Sequence, residues 1–94
     1  MPYASVTHSR STLKDYRTVH AALGDERPEG LLFSAVGESE AGTHIVDVWA
    51  TQADADRFVA ERLHPAFQRT GIGPGEGDTH VEFEVEVFVG PSTV

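Results

Sequence analysis

The sequence predicts an α+β domain with a four-stranded antiparallel sheet, because strand and helix patterns follow one another in a particular order. Two segments carry apolar residues at helical spacing and four carry strand patterns, which gives the order βαββαβ. The chain has 94 residues and shows no internal repeat or linker, so we expect one domain over residues 1–94. Right-handed crossovers turn this order into a ferredoxin-like sheet with both helices on one face.

The first helix is predicted over residues 12–23. Thr12 followed by Asp15 is a variant of the capping box that begins helices, and Gly24 stands where a helix would stop. The apolar side of this helix is formed by Leu13, Tyr16, Val19 and Leu23.

A second helix begins with the same pattern, Thr51 followed by Asp54. Pro65 has no amide hydrogen to donate to the preceding turn, so the helix is expected to kink or restart there. The buried side of this helix is predicted from Ala55, Phe58, Val59, Leu63 and Ala66.

Four extended segments complete the pattern. They are predicted at residues 3–7, 31–36, 43–49 and 79–89, with a turn over 37–42. In the last strand, apolar residues alternate with Glu82, Glu84 and Glu86. We interpret these carboxylates as a solvated edge that discourages stray strand pairing. A cation-binding ladder is less favoured, because cation sites gather oxygens around one point.

The central hairpin is apolar on both of its sides, which has a consequence for assembly. Two helices on one face of the sheet can cover only one side, whereas strands that are apolar on both faces require cover on both. We therefore expect a homodimer in which two sheets pack face to face. The apolar residues of the hairpin are Leu31, Leu32, Phe33, Val36, Ile45, Val46, Val48 and Trp49.

Composition excludes several classes of function. The net charge of -8 repels phosphate backbones, so we expect no nucleic-acid partner. Cysteine is absent, which excludes disulfides, a thiol nucleophile and a thiolate metal site. No apolar run is long enough to cross a bilayer, and the first ten residues lack the order of a signal peptide. We expect a cytoplasmic protein without a membrane partner.

Three segments carry a resemblance to a known superfamily. They are Gly30-Leu-Leu-Phe, Ile45-Val-Asp-Val-Trp49-Ala-Thr and Phe58-Val-Ala-Glu-Arg-Leu-His-Pro65. Together they resemble the dimeric α+β barrel proteins, in particular small bacterial members near the antibiotic-biosynthesis monooxygenases. The resemblance implies a homodimer with a mostly apolar pocket between helices and sheet. It does not choose among monooxygenases, heme-degrading enzymes, lactone isomerases, polyketide cyclases and ligand-binding modules.

The resemblance also weakens both oxidative functions. Cofactor-free monooxygenases and heme degraders of the superfamily use an asparagine in the pocket, and this chain contains no asparagine. Heme degraders also use a tryptophan within the second helix and a histidine after it, where this chain has Phe58 and Gln68. The isomerases and cyclases use varied residues and are not excluded. We expect no cofactor.

His20 and Tyr16 form the candidate proton-transfer pair. They lie four residues apart and therefore share a side of the first helix, next to its apolar stripe. An imidazole titrates near neutrality, and a phenol can hydrogen-bond a developing enolate. The alternative is a half-exposed helix histidine beside a tyrosine that is packed in the core.

Asp47 is the third candidate catalytic residue. It shares a strand face with Ile45 and Trp49, and a carboxylate on an apolar face needs a partner because unpaired burial is costly. Asp47 would act as a base or orient a pocket histidine. The alternative is a salt bridge to Arg57, to Arg62 or to the partner subunit.

Further assignments concern the pocket and its surroundings. The alternative role of Trp49 is that of an anchor in the core or at the dimer interface. The alternative role of His64 is that of a cation, which is favoured near a helix C-terminus. Residues 71–77 (GIGPGEG) are expected to form a flexible flap. No metal site is predicted, and His8 and His80 are expected at opposite ends of neighbouring strands. The residues assigned to ligand binding are Phe33, Trp49, Phe58 and His64.

Three hypotheses for function follow. The first is cofactor-independent proton transfer, as in an isomerase or polyketide cyclase, on a small apolar or aromatic molecule. The second is a non-catalytic ligand-binding or structural dimer module. The third is a cofactor-free monooxygenase with an atypical pocket. An enclosed cavity of roughly 300 Å³ or more with convergent polar groups favours an enzyme.

Overall fold

The structure, a computed structural model, describes residues 1–89. It contains four strands, a first helix and a second helical segment that is divided into two α-helices by a π-helical turn. Their bounds are β1 Tyr3–Ser9, α1 Leu13–Leu23, β2 Leu31–Ser39, β3 Gly42–Trp49, α2 Gln52–Phe58, the π turn Val59–Leu63, α3 His64–Thr70 and β4 Thr79–Glu84. Within residues 1–89, no helix is long and apolar enough to cross a membrane.

The sheet confirms the predicted architecture. Its strand order is β2-β3-β1-β4, and all three neighbouring pairs are antiparallel. The two central strands, β1 and β3, therefore come from different halves of the chain, as the ferredoxin-like order requires. Helix α1 and the second helical segment pack against each other on one face of this sheet.

Both helices begin at the predicted capping residues. The Thr12 hydroxyl oxygen accepts a hydrogen bond from the Asp15 amide at 3.2 Å, and the Thr51 hydroxyl oxygen accepts one from the Asp54 amide at 3.1 Å. Such bonds satisfy amides that have no partner within the helix. Helix α1 ends where Gly24 adopts a positive φ of 87°, which confirms the predicted stop.

The second helical segment restarts at Pro65, as predicted. The backbone widens into the π turn after α2, and Pro65 lies in the first turn of α3. A missing amide hydrogen costs least in the first turn of a helix. The interruption therefore lets the chain remain helical to Thr70 across the sheet.

The last strand is shorter than predicted: β4 ends at Glu84, and the prediction that it continues to Val89 is wrong. Its neighbour β1 begins at Tyr3, and Tyr3 pairs with Glu84. A strand continues only while a neighbouring backbone supplies ladder hydrogen bonds. The alternating pattern of residues 85–89 carries no information about where the neighbour begins.

Strand β2 is longer than predicted and contains an irregularity. It extends to Ser39, and its register with β3 shifts between Leu31 and Phe33. This bulge leaves Leu32 as an additional residue, so that Leu31 and Phe33 lie on opposite faces of the sheet. Regular alternation would have placed them on the same face.

The two faces of the sheet differ in chemistry. The helix-side face carries a polar centre formed by Ser5, Thr7, Ser34, Asp47, His80 and Glu82. The open face, on the other side, consists of two rows of paired residues, Phe33–Val48–Ala4–Phe83 and Ala35–Val46–Val6–Val81. Four of these side chains, Val6, Phe33, Val81 and Phe83, are 39% to 57% exposed. Residues 1–89 of one chain therefore leave a continuous apolar surface uncovered.

Candidate functional site

A cavity of about 570 Å³ lies between the helix-side face and the helices. Its floor is the sheet, its walls are α1 and the second helical segment, and residues 72–75 and 78 of the α3–β4 loop border it. This volume exceeds the roughly 300 Å³ expected of a small-molecule site. The predicted position of a pocket between helices and sheet is therefore correct.

The floor contains a polar row that crosses all four strands. Asp47 on β3 pairs in register with Ser34 on β2 and with Ser5 on β1, and Ser5 pairs with Glu82 on β4. Residues paired in this way point to the same face. The lining of the cavity is mostly apolar, as the resemblance implies, and two carboxylates and two hydroxyls lie at the centre of its floor.

Asp47 is the partly buried carboxylate of this row. Burial raises the pKa of Asp47, and this effect outweighs the hydrogen bond from Ser34 and the positive charge of His80, which both lower it. The raised pKa results from desolvation, which disfavours the charged form of an acid. A carboxyl group with this property is suited to exchanging a proton with a bound molecule.

The salt bridge proposed as an alternative role for Asp47 is not formed within residues 1–89. Arg57 pairs with Asp54 and approaches Glu29 at 4.0 Å. Arg62 donates to the main-chain oxygen of Leu23 at 2.8 Å. Both arginines therefore stabilise helix ends and connections, and neither neutralises the carboxylate on the cavity floor.

Tyr16 on the α1 wall and Asp47 on the floor line the same cavity. Tyr16 is partly buried on α1, and burial raises the pKa of its phenol, with the charge of Asp47 raising it further. The phenol consequently keeps its proton and can donate it in a hydrogen bond. His20 lines the same cavity, with its ring centroid 5.8 Å from that of Tyr16.

The three predicted catalytic residues thus border one cavity, although they differ in burial. His20 is exposed and lies at the rim, whereas Tyr16 and Asp47 are partly buried. His20 therefore occupies the position of the alternative interpretation, a helix histidine that is partly exposed to solvent. A catalytic role for any of the three stays a prediction.

Aromatic side chains form one wall. The rings of Trp49 and Phe58 lie 5.1 Å apart, and Trp49 is 3% exposed within a buried cluster that includes Tyr3. The Arg62 guanidinium lies 5.7 Å from the centre of the Phe58 ring. Trp49 is therefore a core anchor that also lines the cavity.

His64 also borders the cavity, whereas Phe33 does not. His64 is an exposed residue at the beginning of α3, beside Phe67. Phe33 lies on the open face, where it pairs with Val48, so its assignment to ligand binding in this cavity is wrong. The bulge after Leu31 is the cause of this error.

A second polar cluster, which the sequence did not predict, lies on the floor beside Glu82. The Thr7 hydroxyl is 2.7 Å from Nδ1 of His80, and Nε2 of His80 is 3.6 Å from a carboxylate oxygen of Glu82. Glu82 was predicted as part of a solvated edge, and it also lines the cavity. The alternation of β4 already placed His80 and Glu82 on one face.

The predicted separation of His8 and His80 is also wrong. Antiparallel neighbours bring the end of one strand beside the start of the other, and the register pairs Thr7 with His80 and His8 with Thr79. The two histidines are close in register but lie on opposite faces. His8 stacks on His44 of the open face at 4.8 Å.

Asp78 holds the predicted flap against the end of β1. Its carboxylate accepts hydrogen bonds from the amides of Gly75 at 2.8 Å and Arg10 at 3.0 Å, and from the Ser9 hydroxyl at 3.2 Å. These donors lower the pKa of Asp78.

Among residues 1–89, no group of three or more acidic or histidine side chains is arranged to hold a metal ion.

Comparisons with known proteins address the fold. No family model and no curated protein sequence matches the chain. A solved protein of unknown function from Nitrosomonas europaea is similar with a TM-score of 0.70 and 9% identity, over 97% of this chain and 95% of that one. A candidate antibiotic biosynthesis monooxygenase from the same organism has a TM-score of 0.68 and 12% identity, over 95% and 94%.

A third similar structure carries a described activity. It is a cofactor-independent oxygenase from Streptomyces nogalater, with a TM-score of 0.61 and 12% identity over 94% of each chain. At such low identity, structural similarity establishes the fold and leaves the activity open. The predicted resemblance is confirmed at that level: this chain has the ferredoxin-like α+β fold of the antibiotic biosynthesis monooxygenase-like proteins.

Proposed function

We propose that this chain binds a small apolar molecule, aromatic or polyketide-like, between its helices and sheet and catalyses cofactor-independent proton transfer on it. The observation that carries the proposal is the Asp47 carboxyl group, partly buried on the floor of the cavity with a raised pKa. Such a group is the base that an isomerase or cyclase requires.

The surrounding residues support this role. The Asp47 carboxylate would take a proton from a carbon next to a carbonyl group. The C–H electron pair would form the carbon–carbon double bond of an enolate, and the carbonyl π pair would move to the oxygen. Tyr16, whose phenol retains its proton, would donate a hydrogen bond to that oxygen. Trp49 and Phe58 supply a flat apolar wall for the rest of the molecule.

Binding can be tested without knowledge of the natural ligand, because Trp49 is the only tryptophan of the chain and lines the cavity. Titration with the aromatic ketone α-tetralone should quench the emission of Trp49 in a saturable manner. A Leu63→Phe substitution would fill part of the cavity without adding a second tryptophan and should weaken the binding. A linear, unsaturable response in the wild type would contradict a ligand site here.

Catalysis can be tested with the same ketone in deuterium oxide, where proton NMR follows exchange of its α-hydrogens. The wild type should accelerate this exchange, and Asp47→Asn should reduce the acceleration by about a hundredfold. Asp25→Asn, an exposed aspartate outside the cavity, is the matched control. Binding of α-tetralone without accelerated exchange would favour the non-catalytic module instead.

The open face supports a homodimer as the proposed assembly. Four large apolar side chains of the two rows, Val6, Phe33, Val81 and Phe83, are exposed on one side of the sheet, while the helices cover the other. Packing of two such faces removes apolar surface from water, the dominant favourable term in association. A second copy would then complete the barrel that the resemblance implies.

The oxygenase among the similar structures favours one alternative function, cofactor-free oxidation. This alternative predicts oxygen consumption with a small aromatic dihydroquinone, and loss of that activity in a Trp49→Phe variant. The absence of asparagine from the chain argues against it, because the oxidative branches of the superfamily use that residue. An oxygen electrode distinguishes this alternative from proton transfer in one measurement.

A further inference from the structure

Thr7, His80 and Glu82 form a polar cluster on the floor of the cavity that the proposed reaction does not use. His80 lies on β4 and Asp47 on β3, with β1 between them, and both side chains point into the cavity. Their positive and negative charges interact, since His80 lowers the pKa of Asp47. A molecule in the cavity would therefore face both Asp47 and this cluster.

The contacts of His80 define how its ring is held. The Thr7 hydroxyl binds Nδ1 at 2.7 Å, which fixes the orientation of the imidazole. Nε2 makes no hydrogen bond within residues 1–89, and the carboxylate of Glu82 lies 3.6 Å from it. Half of the His80 side chain remains accessible to a ligand. His80 thus has one nitrogen anchored and one open toward the cavity.

The spacing of the two groups suits a molecule between them. Backbones separated by one intervening strand lie about 9 to 10 Å apart, and His80 pairs with Thr7 whereas Asp47 pairs with Ser5, so the two backbones lie diagonally, roughly 11 to 12 Å apart. A base and an acid that each approach a carbon at about 3 Å need a separation near 8 or 9 Å when those carbons are two bonds apart. Asp47 and His80 meet this requirement when their side chains lean toward each other diagonally across β1.

We propose that His80 is a second catalytic residue, which returns a proton to a different carbon from the one that Asp47 deprotonates, with Thr7 and Glu82 as positioning residues. This inference rests on the proposed function and names its substrate class: a β,γ-unsaturated carbonyl compound that is converted into its conjugated isomer. Asp47 takes the α-hydrogen as a proton and leaves a dienolate. The γ-carbon then takes a proton from the protonated His80 ring, the double bond moves to the α,β position, and the carbonyl re-forms. One proton passes from Asp47 back to His80 through water, so that atoms and charge balance.

The test uses two probes that separate the two residues. Hydrogen exchange between α-tetralone and deuterium oxide requires only that a proton is removed from one carbon and a deuteron is returned to it. This exchange therefore reports on Asp47. Isomerisation of 3-cyclohexenone, followed by the absorbance of the conjugated product, requires a proton at the second carbon and so reports on His80. His80→Gln should lower isomerisation by about a hundredfold, and it should change α-tetralone exchange far less, since there it removes only a charge that acts on Asp47. His8→Gln, on the opposite face of the sheet, is the matched control.

The positioning residues have their own readout. Thr7→Val and Glu82→Gln should each lower kcat for isomerisation by about tenfold with little change in KM, and Thr7→Ser, which keeps the hydroxyl, should restore the rate. Far-ultraviolet circular dichroism and Trp49 emission verify that each variant is folded.

The outcomes separate the two proposals. Exchange of α-tetralone that depends on Asp47, together with isomerisation that does not depend on His80, would overturn the role of His80 and leave the proposed function intact. A wild type that exchanges α-tetralone but does not isomerise 3-cyclohexenone would also overturn it. A wild type that does neither would overturn the proposed function and, with it, this inference.

Discussion

Replacement of Thr43 by valine should destabilise the fold by an amount that can be worked from a single contact. Thr43 lies on the helix-side face of β3 and is 1% exposed. Its hydroxyl donates a hydrogen bond of 2.8 Å to the main-chain oxygen of Ser11, the residue before the helix cap Thr12. Valine keeps the shape of threonine, so the substitution removes the hydrogen bond and leaves the Ser11 oxygen without its donor.

The expected loss follows from that unpaired oxygen. A buried polar group that loses its partner costs about 1 to 3 kcal/mol. For a domain of this size, each kcal/mol lowers Tm by roughly 4 to 8 °C. A loss near the middle of the range, about 2 kcal/mol, therefore corresponds to a Tm roughly 8 to 16 °C below that of the wild type.

The assay compares Thr43→Val with Thr43→Ser, which keeps the hydroxyl and removes one methyl group at a cost of about 1 kcal/mol. Thermal and urea unfolding are followed by circular dichroism at one fixed protein concentration, because association would make Tm depend on concentration. We expect the valine variant to be the less stable of the two. A valine variant as stable as the wild type, or more stable than the serine variant, would refute the view that this hydrogen bond anchors the start of α1.

Three further predictions concern charge and assembly. The pKa of Asp47 is raised in the folded state, so the wild type loses stability relative to Asp47→Asn as the pH rises through that pKa. The urea midpoint of the variant should therefore exceed that of the wild type at neutral pH but not below about pH 4. Asp78 has a lowered pKa, so its contribution is present above about pH 4 and lost in stronger acid; Asp78→Asn should destabilise the protein at neutral pH, and a difference that persists unchanged in strong acid would contradict this. Val6→Lys on the open face should yield monomers in sedimentation experiments, whereas Ala21→Lys on the exposed side of α1 should not.

Local patterns predicted the elements well because their causes are local. A threonine that caps the amide three residues later acts within one turn, and both helices begin at such residues, Thr12 and Thr51. Proline acts on its own turn, and the helix restarts at Pro65 as predicted. The strand order follows from the order of elements and the handedness of crossovers.

The errors arose where a residue's position depends on another strand. The end of β4 depends on where β1 begins, and the face on which Phe33 lies depends on a bulge in the pairing of β2 with β3. Neither cause is visible in the residues concerned. The adjacency of Thr7 and His80, in contrast, follows directly from antiparallel pairing, so the second polar cluster could have been predicted from the strand order.

The distribution of polar and apolar residues over the sheet links the proposed function to the proposed assembly. A two-layer domain would normally place its apolar face under the helices and its polar face in water. Here the polar row from Ser34 to Glu82 lies under the helices, and the wholly apolar rows lie outside. Burial of polar groups is costly unless they are hydrated or bound, and exposure of an apolar face is costly unless it is covered.

A ligand cavity and a second copy of the chain remove these two costs separately, which makes the two proposals independent. Val6→Lys changes only the open face, and Asp47→Asn changes only the floor of the cavity. α-Tetralone should therefore still quench the Trp49 emission of a Val6→Lys monomer, since both the wall and the floor of the cavity come from one chain. Loss of α-tetralone binding in a folded monomer would show that the partner subunit completes the site, and would join the two proposals into one.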